Sequence, residues 1–258
     1  MQIKGVDVSS WQKNIDYKLL KENGIRFVII RAGYGTVEDS GLATHVEGCL
    51  ENDIDFGYYW YSYADSIPDV QEEAAACLKA LAQYPAPSYP VFFDMEGKQQ
   101  IQRLDNAERT DIAIEFCGAV NSGGYPCGIY TNPAWLESYY EKNRIIGSLD
   151  IWLAHWTNSP SNQSRYKYGQ TMWQWGIDKI GMDVDGDICF VDYPSITKTW
   201  YEAHAASDAP NRSEKTVTEL AEEVIRGEWG NGEERRSRLT AAGYDYAAVQ
   251  RRVNEMLT

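Results

Sequence analysis

Eight short apolar runs, separated by stretches of helical character, constrain this chain more than any other feature. They fall at residues 3–8, 27–33, 55–63, 90–96, 127–131, 150–155, 171–175 and 184–190. Short apolar runs of this kind are what strands look like when both faces of a sheet are covered. Helical patterns fit the gaps at about 15–23, 39–52, 66–83 and 106–123; the third is Ala-rich and acidic, a composition of high helix propensity. After residue 130 the gaps hold only short helices. Strands alternating with helices predict a parallel sheet with helices on both faces. Eight such strands predict an α/β fold of (β/α)8-like barrel type with short or missing later helices. An open doubly wound sheet is the competing arrangement. No Gly-x-Gly-x-x-Gly follows the first strand, so a dinucleotide site is not expected.

The chain changes character near residue 202. Residues 1–201 read as the barrel, and 202–214, rich in Ala, Ser, Asp, Pro and Asn without apolar periodicity, read as a linker. Residues 215–258 read as a small three-helix module. Leu220, Val224 and Ile225 share one helical face, and Val249, Val253, Met256 and Leu257 form a stripe near the end.

The formal charge of −14 over 258 residues argues against nucleic acid and anionic membrane surfaces as partners. No apolar run is long enough for membrane insertion. Nine Trp and 18 Tyr suit stacking on sugars. The five cysteines lack Cys-x-x-Cys spacing and read as reduced, buried residues. The three histidines are too scattered to suggest a metal site, and no cofactor is expected. The N-terminus has no basic segment followed by an apolar one, so no signal peptide is expected. A protein of this kind acting outside the cell would be cytoplasmic until released or exported by another route.

Barrel enzymes place their chemistry at the C-terminal ends of strands. There the first strand offers Asp7, the second Arg31, the third Tyr59, Tyr61 and Tyr63, the fifth Tyr130, the sixth His155 and Trp156, the seventh Gln174 and Trp175. The fourth ends Pro-Val-Phe-Phe-Asp-Met-Glu-Gly (90–97). Residues two apart on a strand share a face, so Asp94 and Glu96 project side by side. Paired carboxylates are what glycoside cleavage requires, one as acid and one as charge or nucleophile. Clustering raises the pKa of at least one of them. Glu96 is the expected acid and Asp94 its ionised partner. The eighth run contributes Asp185 and Asp187, of which Asp185 is the favoured inward acid. Retaining, inverting and substrate-assisted routes all remain open from the sequence.

Six motifs then occur in order: Gly-Val-Asp-Val-Ser-Ser-Trp-Gln (5–12), the Phe-Phe-Asp-Met-Glu strand, Gly-Ile-Tyr-Thr-Asn (128–132), Ile-Trp-Leu-Ala-His-Trp (151–156), Trp-Gln-Trp (173–175) and Asp-Val-Asp-Gly-Asp (183–187). Over residues 1 to about 197 the chain resembles glycoside hydrolase family 25, the Chalaropsis-type lysozymes. The resemblance implies N-acetylmuramidase activity on the β-1,4 bond between N-acetylmuramic acid and N-acetylglucosamine of peptidoglycan. It carries Asp7, Asp94, Glu96 and Asp185 over as the acidic site residues, Glu96 as proton donor. Residues of about 215–257 are similar to the cell-wall-binding repeat of certain pneumococcal phage lysozymes. That implies binding to muropeptide, with Trp229, Arg235 and Tyr244 as candidate contacts, and a phage endolysin or bacterial autolysin acting on the cell wall. Two other readings compete: a barrel that binds wall without cutting it, and a chitinase or other N-acetylhexosaminidase.

Overall fold

Each of the eight apolar runs forms a strand of one closed sheet in the computed structural model, which describes residues 2–208, 217–230, 232–241, 244 and 246–257. In chain order the strands are β1 (Ile3–Val8), β2 (Phe27–Tyr34), β3 (Val37–Glu38), β4 (Asp55–Tyr61), β5 (Val91–Asp94), β6 (Cys127–Thr131), β7 (Ile151–Ala154), β8 (Met172–Lys179) and β9 (Asp183–Cys189). β1 pairs with both β2 and β9, which closes the barrel; the two-residue β3 only extends β2 at one edge.

From β1 through β8 every barrel pairing is parallel. β9 is antiparallel to both β8 and β1, which corrects the all-parallel expectation. The reason is chain length. Only residues 180–182 separate β8 from β9, whereas a parallel crossover needs about a dozen residues or more.

Helices α1 (Tyr17–Glu22), α2 (Leu42–Glu51), α3 (Ile67–Leu81), α4 (Lys98–Arg103) and α5 (Asn106–Ser122) cover the first half of the barrel. α6 (Pro133–Ser138) and α7 (Lys142–Ile145) are short, and no helix follows β7 or β8 among the described residues. Local chemistry sets the starts. Asp105 and Glu108 form a reciprocal capping box on α5, and Asn132 Oδ1 caps α6 by accepting from Trp135 N. The outward strand residues Val6, Val8, Val28, Ile30 and Phe93 pack against Val46, Val70, Ala74 and Phe116 of the helices in the main core.

α8 (Tyr193–Asp208) takes in residues 202–208, the first part of the expected linker. Ala-rich sequence tolerates helix there, and His204 stacks on Trp200 at 3.5 Å while its Nδ1 meets the Trp200 carbonyl. Residues 209–216, the rest of that stretch, lie outside the described residues.

The contacts divide the chain into two compact units, Met1–His204 and Ala205–Thr258. In the second, α9 (Val217–Ile225), α10 (Gly232–Ala241) and α11 (Tyr246–Leu257) enclose Leu220, Ala221, Val224, Leu239, Val249 and Val253. Ile225 and Met256, expected in the apolar faces, are exposed instead.

Candidate active site

Side-chain alternation along the strands builds the barrel interior in two storeys. The lower is apolar: Phe27, Ile29, Phe92, Trp152, Met172 and Cys189, closed by Tyr89 and Tyr193. Two residues further along the same strands the inward side chains become polar. Asp7, Tyr59, Tyr61, Asp94, Tyr130, Gln174 and Asp185 join Arg31 and Glu96 around a cavity of about 200 Å³. Trp152 forms its floor, edge-on to Tyr130 at 4.6 Å and to Tyr59 at 6.0 Å.

The sheet register fixes who meets whom. Asp7 sits directly opposite Asp185, and Asp94 lies between Tyr61 and Tyr130. Gln174 organises the far wall. Its Nε2 donates to Asp7 Oδ2 at 2.8 Å, while its Oε1 accepts from Tyr130 Oη and from Trp156 Nε1, each at 3.0 Å. Arg31 is held by Asp39, its Nε donating to Oδ2 at 2.5 Å, and by Ser10 Oγ at 3.0 Å. Asp39 also accepts from Ser10 N and Gly41 N, so a buried carboxylate aims the guanidinium.

Glu96 lies two residues past the end of β5, at the exposed rim, while Asp94 is buried. The loop between them is pinned from outside. Buried Gln100 accepts from Gly97 N and donates to the carbonyls of Ser62 and Ala64, on the neighbouring loop. Ser62 N in turn donates to the Asp94 carbonyl at 2.7 Å.

Five carboxyls share this end of the barrel, and all are pushed above the ordinary carboxylate range. Burial is the first cause for each. For Asp94 the next causes are the charges of Glu96 and Asp7, opposed by Arg31. For Asp7 the charge of Asp185 comes next, opposed by the Gln174 hydrogen bond. Burial, then Asp94 and Glu96, push Tyr61 up to about 12, so its hydroxyl stays protonated. Asp94 Oδ1 is buried without a hydrogen-bond donor among the described residues. Groups of this kind titrate as a coupled set, each charge raising the cost of the next.

Most of the residues expected from sequence are brought together here: Asp7, Arg31, Tyr61, Asp94, Glu96, Tyr130, Gln174 and Asp185. Trp156 stands at the rim, half in solvent. Tyr63 falls outside this cavity, in an adjoining groove. Trp175 is a correction. Its neighbour Gln174 points inward, so Trp175 points outward, where it is buried with Trp173 and Ile188. Its ring lies over Gly186, where a Cβ would stand 2.5 Å from it.

The choice between Asp185 and Asp187 was a false one, because residues two apart on β9 face the same way. Asp185 lines the cavity; Asp187 lies deeper, accepting from Trp152 Nε1 at 2.7 Å. Asp187 faces Asp7, and after burial the charge of Asp7 is the next cause that pushes its carboxyl well above the ordinary range. Trp152 and Asp39 were not expected at the site. Tyr59 shares its face with Tyr61 and lines the cavity with it. Among the described residues no cluster of His, Cys, Asp and Glu could hold a metal ion.

In the second unit, Trp229 and Tyr244 meet edge-on at 6.0 Å. Trp229 Nε1 donates to Glu223, and Arg235 donates to the Gly230 carbonyl and to Gln250.

A sequence profile described as glycosyl hydrolases family 25 matches residues 6–182, and a CW_7 repeat profile matches residues 218–257. The chain is 44% identical to the lysozyme of Streptococcus phage Cp-7 in an alignment 266 positions long, gaps included, which covers 97% of this chain and 69% of that one. It is 26% identical to the N,O-diacetylmuramidase of Arthroderma benhamiae over 179 residues, 67% of this chain and 76% of the relative. Its fold is similar to that of the modular autolysin LytC from Streptococcus pneumoniae, solved with a synthetic peptidoglycan ligand, at a TM-score of 0.63 and 24% identity. That likeness covers 73% of this chain and 47% of the autolysin, so the chain spans about half of that relative's length.

Proposed function

The chain belongs to the glycosyl hydrolases of family 25 and is a peptidoglycan-hydrolysing lysozyme, and we propose that Glu96 is the proton donor with Asp94 as the charge beside the reacting sugar. The observation that carries this reading is the pairing of buried Asp94 with solvent-reachable Glu96 in one cavity, among further acids. The bond cut is the β-1,4 link from N-acetylmuramic acid to N-acetylglucosamine. The Glu96 carboxyl gives its proton to the leaving oxygen, and water completes the cleavage at the sugar carbon.

Division of labour follows from environment. Both carboxyls are pushed above the ordinary range, burial first, which favours retaining a proton on the pair. Only Glu96 reaches the open rim to deliver it. Asp94 Oδ1 lacks a donor, and the acetamido N–H of the substrate fits that acceptor. Such a hydrogen bond favours the Asp94 anion, as Arg31 does, and leaves the proton on Glu96. Asp7 and Asp185 supply negative field for the developing oxocarbenium. Tyr61, Tyr130, Gln174 and Trp156 hold the sugars. Trp175 acts from behind the wall, and Asp187 from beneath the cavity through Trp152.

The CW_7 repeat binds cell wall. Trp229, Arg235 and Tyr244 are its proposed contacts to muropeptide. Release by a phage lysis system or export of an autolysin would each bring the enzyme to its substrate.

Glu96→Gln tests the assignment. Loss of wall turbidity should slow by at least about 10²-fold with the melting transition retained. Mass spectrometry of the parent's products should find reducing ends on muramic acid. Reducing ends on glucosamine, or full activity in the variant, would sink the reading.

A further inference from the structure

A second concavity, of about 360 Å³, opens beside the acidic cavity and shares two of its walls, Arg31 and Tyr61. Its other lining residues are Ser10, Trp11, Tyr34 and Tyr63. Trp11 is 79% exposed and Tyr63 63% exposed. A large ring left in water forgoes the burial that stabilises an ordinary core aromatic, and clustered exposed rings mark a ligand surface. The fold does not depend on Trp11. Its loop is held by its neighbours, with Ser9 N and Ser9 Oγ donating to Gln12 Oε1 and Ser10 N donating to Asp39.

Tyr63, though exposed, is held in place. It stands edge-on to Tyr61 at 5.2 Å and to Tyr34 at 6.4 Å, and its N–H donates to Glu73. Gly35, in the left-handed region at φ +53°, lets the ring lie close: a Cβ would stand 3.2 Å from Tyr63 Cδ2. Arg31 lies over the Tyr34 ring at 5.4 Å. The groove therefore has fixed aromatic walls and runs directly into the candidate site.

We propose that this groove is a further glycan subsite, in which Trp11 and Tyr63 stack on an N-acetylhexosamine ring of the strand being cut. The proposal rests on the lysozyme reading above and names where the strand continues. Continuity through Arg31 and Tyr61 lets a chain bound at the acids run on into the groove. The walls favour a sugar over a stem peptide. Aromatic faces match the C–H faces of a pyranose, and the tyrosine and serine hydroxyls match its oxygens. The one cation in the lining, Arg31, already spends Nε and Nη2 on Asp39 and Ser10, which leaves little to draw in a peptide carboxylate.

The test compares Trp11→Ala and Trp11→Tyr with the parent on soluble glycan chains stripped of stem peptides. On long chains Trp11→Ala should lose kcat/KM by about tenfold, clearly more than on the shortest chain the enzyme cleaves, and Trp11→Tyr should restore most of it. Equal losses on long and short chains, or no loss, overturn the subsite. A loss seen only on chains that keep their peptides also overturns it and gives the groove to the peptide. Failure of the lysozyme reading has a separate signature, since the parent itself would then release no reducing ends.

Discussion

Asp187 is 1% exposed, accepts one hydrogen bond from Trp152 and faces the Asp7 carboxyl. Burial, and then the charge of Asp7, raise its pKa well above the ordinary value. A carboxyl raised in the folded state binds more protons folded than unfolded. Its destabilising effect is therefore absent below the unfolded pKa of about 4 and grows as pH rises through the window up to the folded pKa. Asp187→Asn keeps the shape and an oxygen for Trp152, and removes the charge. It should raise stability at pH 7 by about 1–3 kcal/mol, with the gain vanishing near pH 4. Melting curves across that range decide; a variant less stable than the parent at pH 7 would overturn the argument. Asp187 was also legible in part. The alternation that placed Asp94 beside Glu96 applies equally to Asp185 and Asp187, and to Gln174 against Trp175. What sequence alone lacked was depth: which member of a same-face pair sits at the rim and which lies beneath it depends on where the strand enters the barrel.

At the scale of elements, the proton donor owes its place to a helix it does not belong to. Glu96 lies two residues past the end of β5, and α4 begins at Lys98. Gln100 on α4 ties that junction to the loop after β4 through the carbonyls of Ser62 and Ala64. Gln100→Ala leaves those buried acceptors unpaired, which costs about 1–3 kcal/mol. It also frees Glu96 to move, and a shift near an ångström costs up to about 10²-fold in rate. We expect kcat on soluble glycan to fall by about tenfold or more, beyond any change in KM. An unaltered kcat at temperatures where the variant is folded would show that the loop holds without it. Sequence could not supply this link, because the carbonyls Gln100 donates to are 36 and 38 positions away, and its local capping contact with Gly97 says nothing of them. The direction of the last strand was within reach. Even the expected runs at 171–175 and 184–190 leave too little chain for a parallel crossover. That antiparallel return brings Asp185, near the start of β9, to the same rim as residues at the ends of the other strands.

At the scale of the molecule, charge and domain organisation bear on each other. Of the formal −14, residues 215–258 contribute only −1, from seven basic and eight acidic residues, so the rest of the chain is the acidic part. Muropeptides carry carboxylates, and an acidic barrel approaches an intact wall against repulsion. Binding by the CW_7 repeat then does more than add affinity, since it holds an unfavourably charged enzyme at its polymer. The two compact units each enclose their own apolar core, so the barrel should fold when residues 205–258 are removed. The truncated enzyme should cleave short soluble glycan nearly as fast as the whole chain and clear intact walls several-fold more slowly. Screening shortens the reach of surface charge to about 10 Å at 0.1 M salt. The deficit on walls should therefore be larger at low ionic strength and shrink as salt is added. Turbidity rates for both proteins across a salt series measure it. A deficit independent of salt would mean that the repeat works by affinity alone, and equal rates on walls would mean that it contributes nothing to attack.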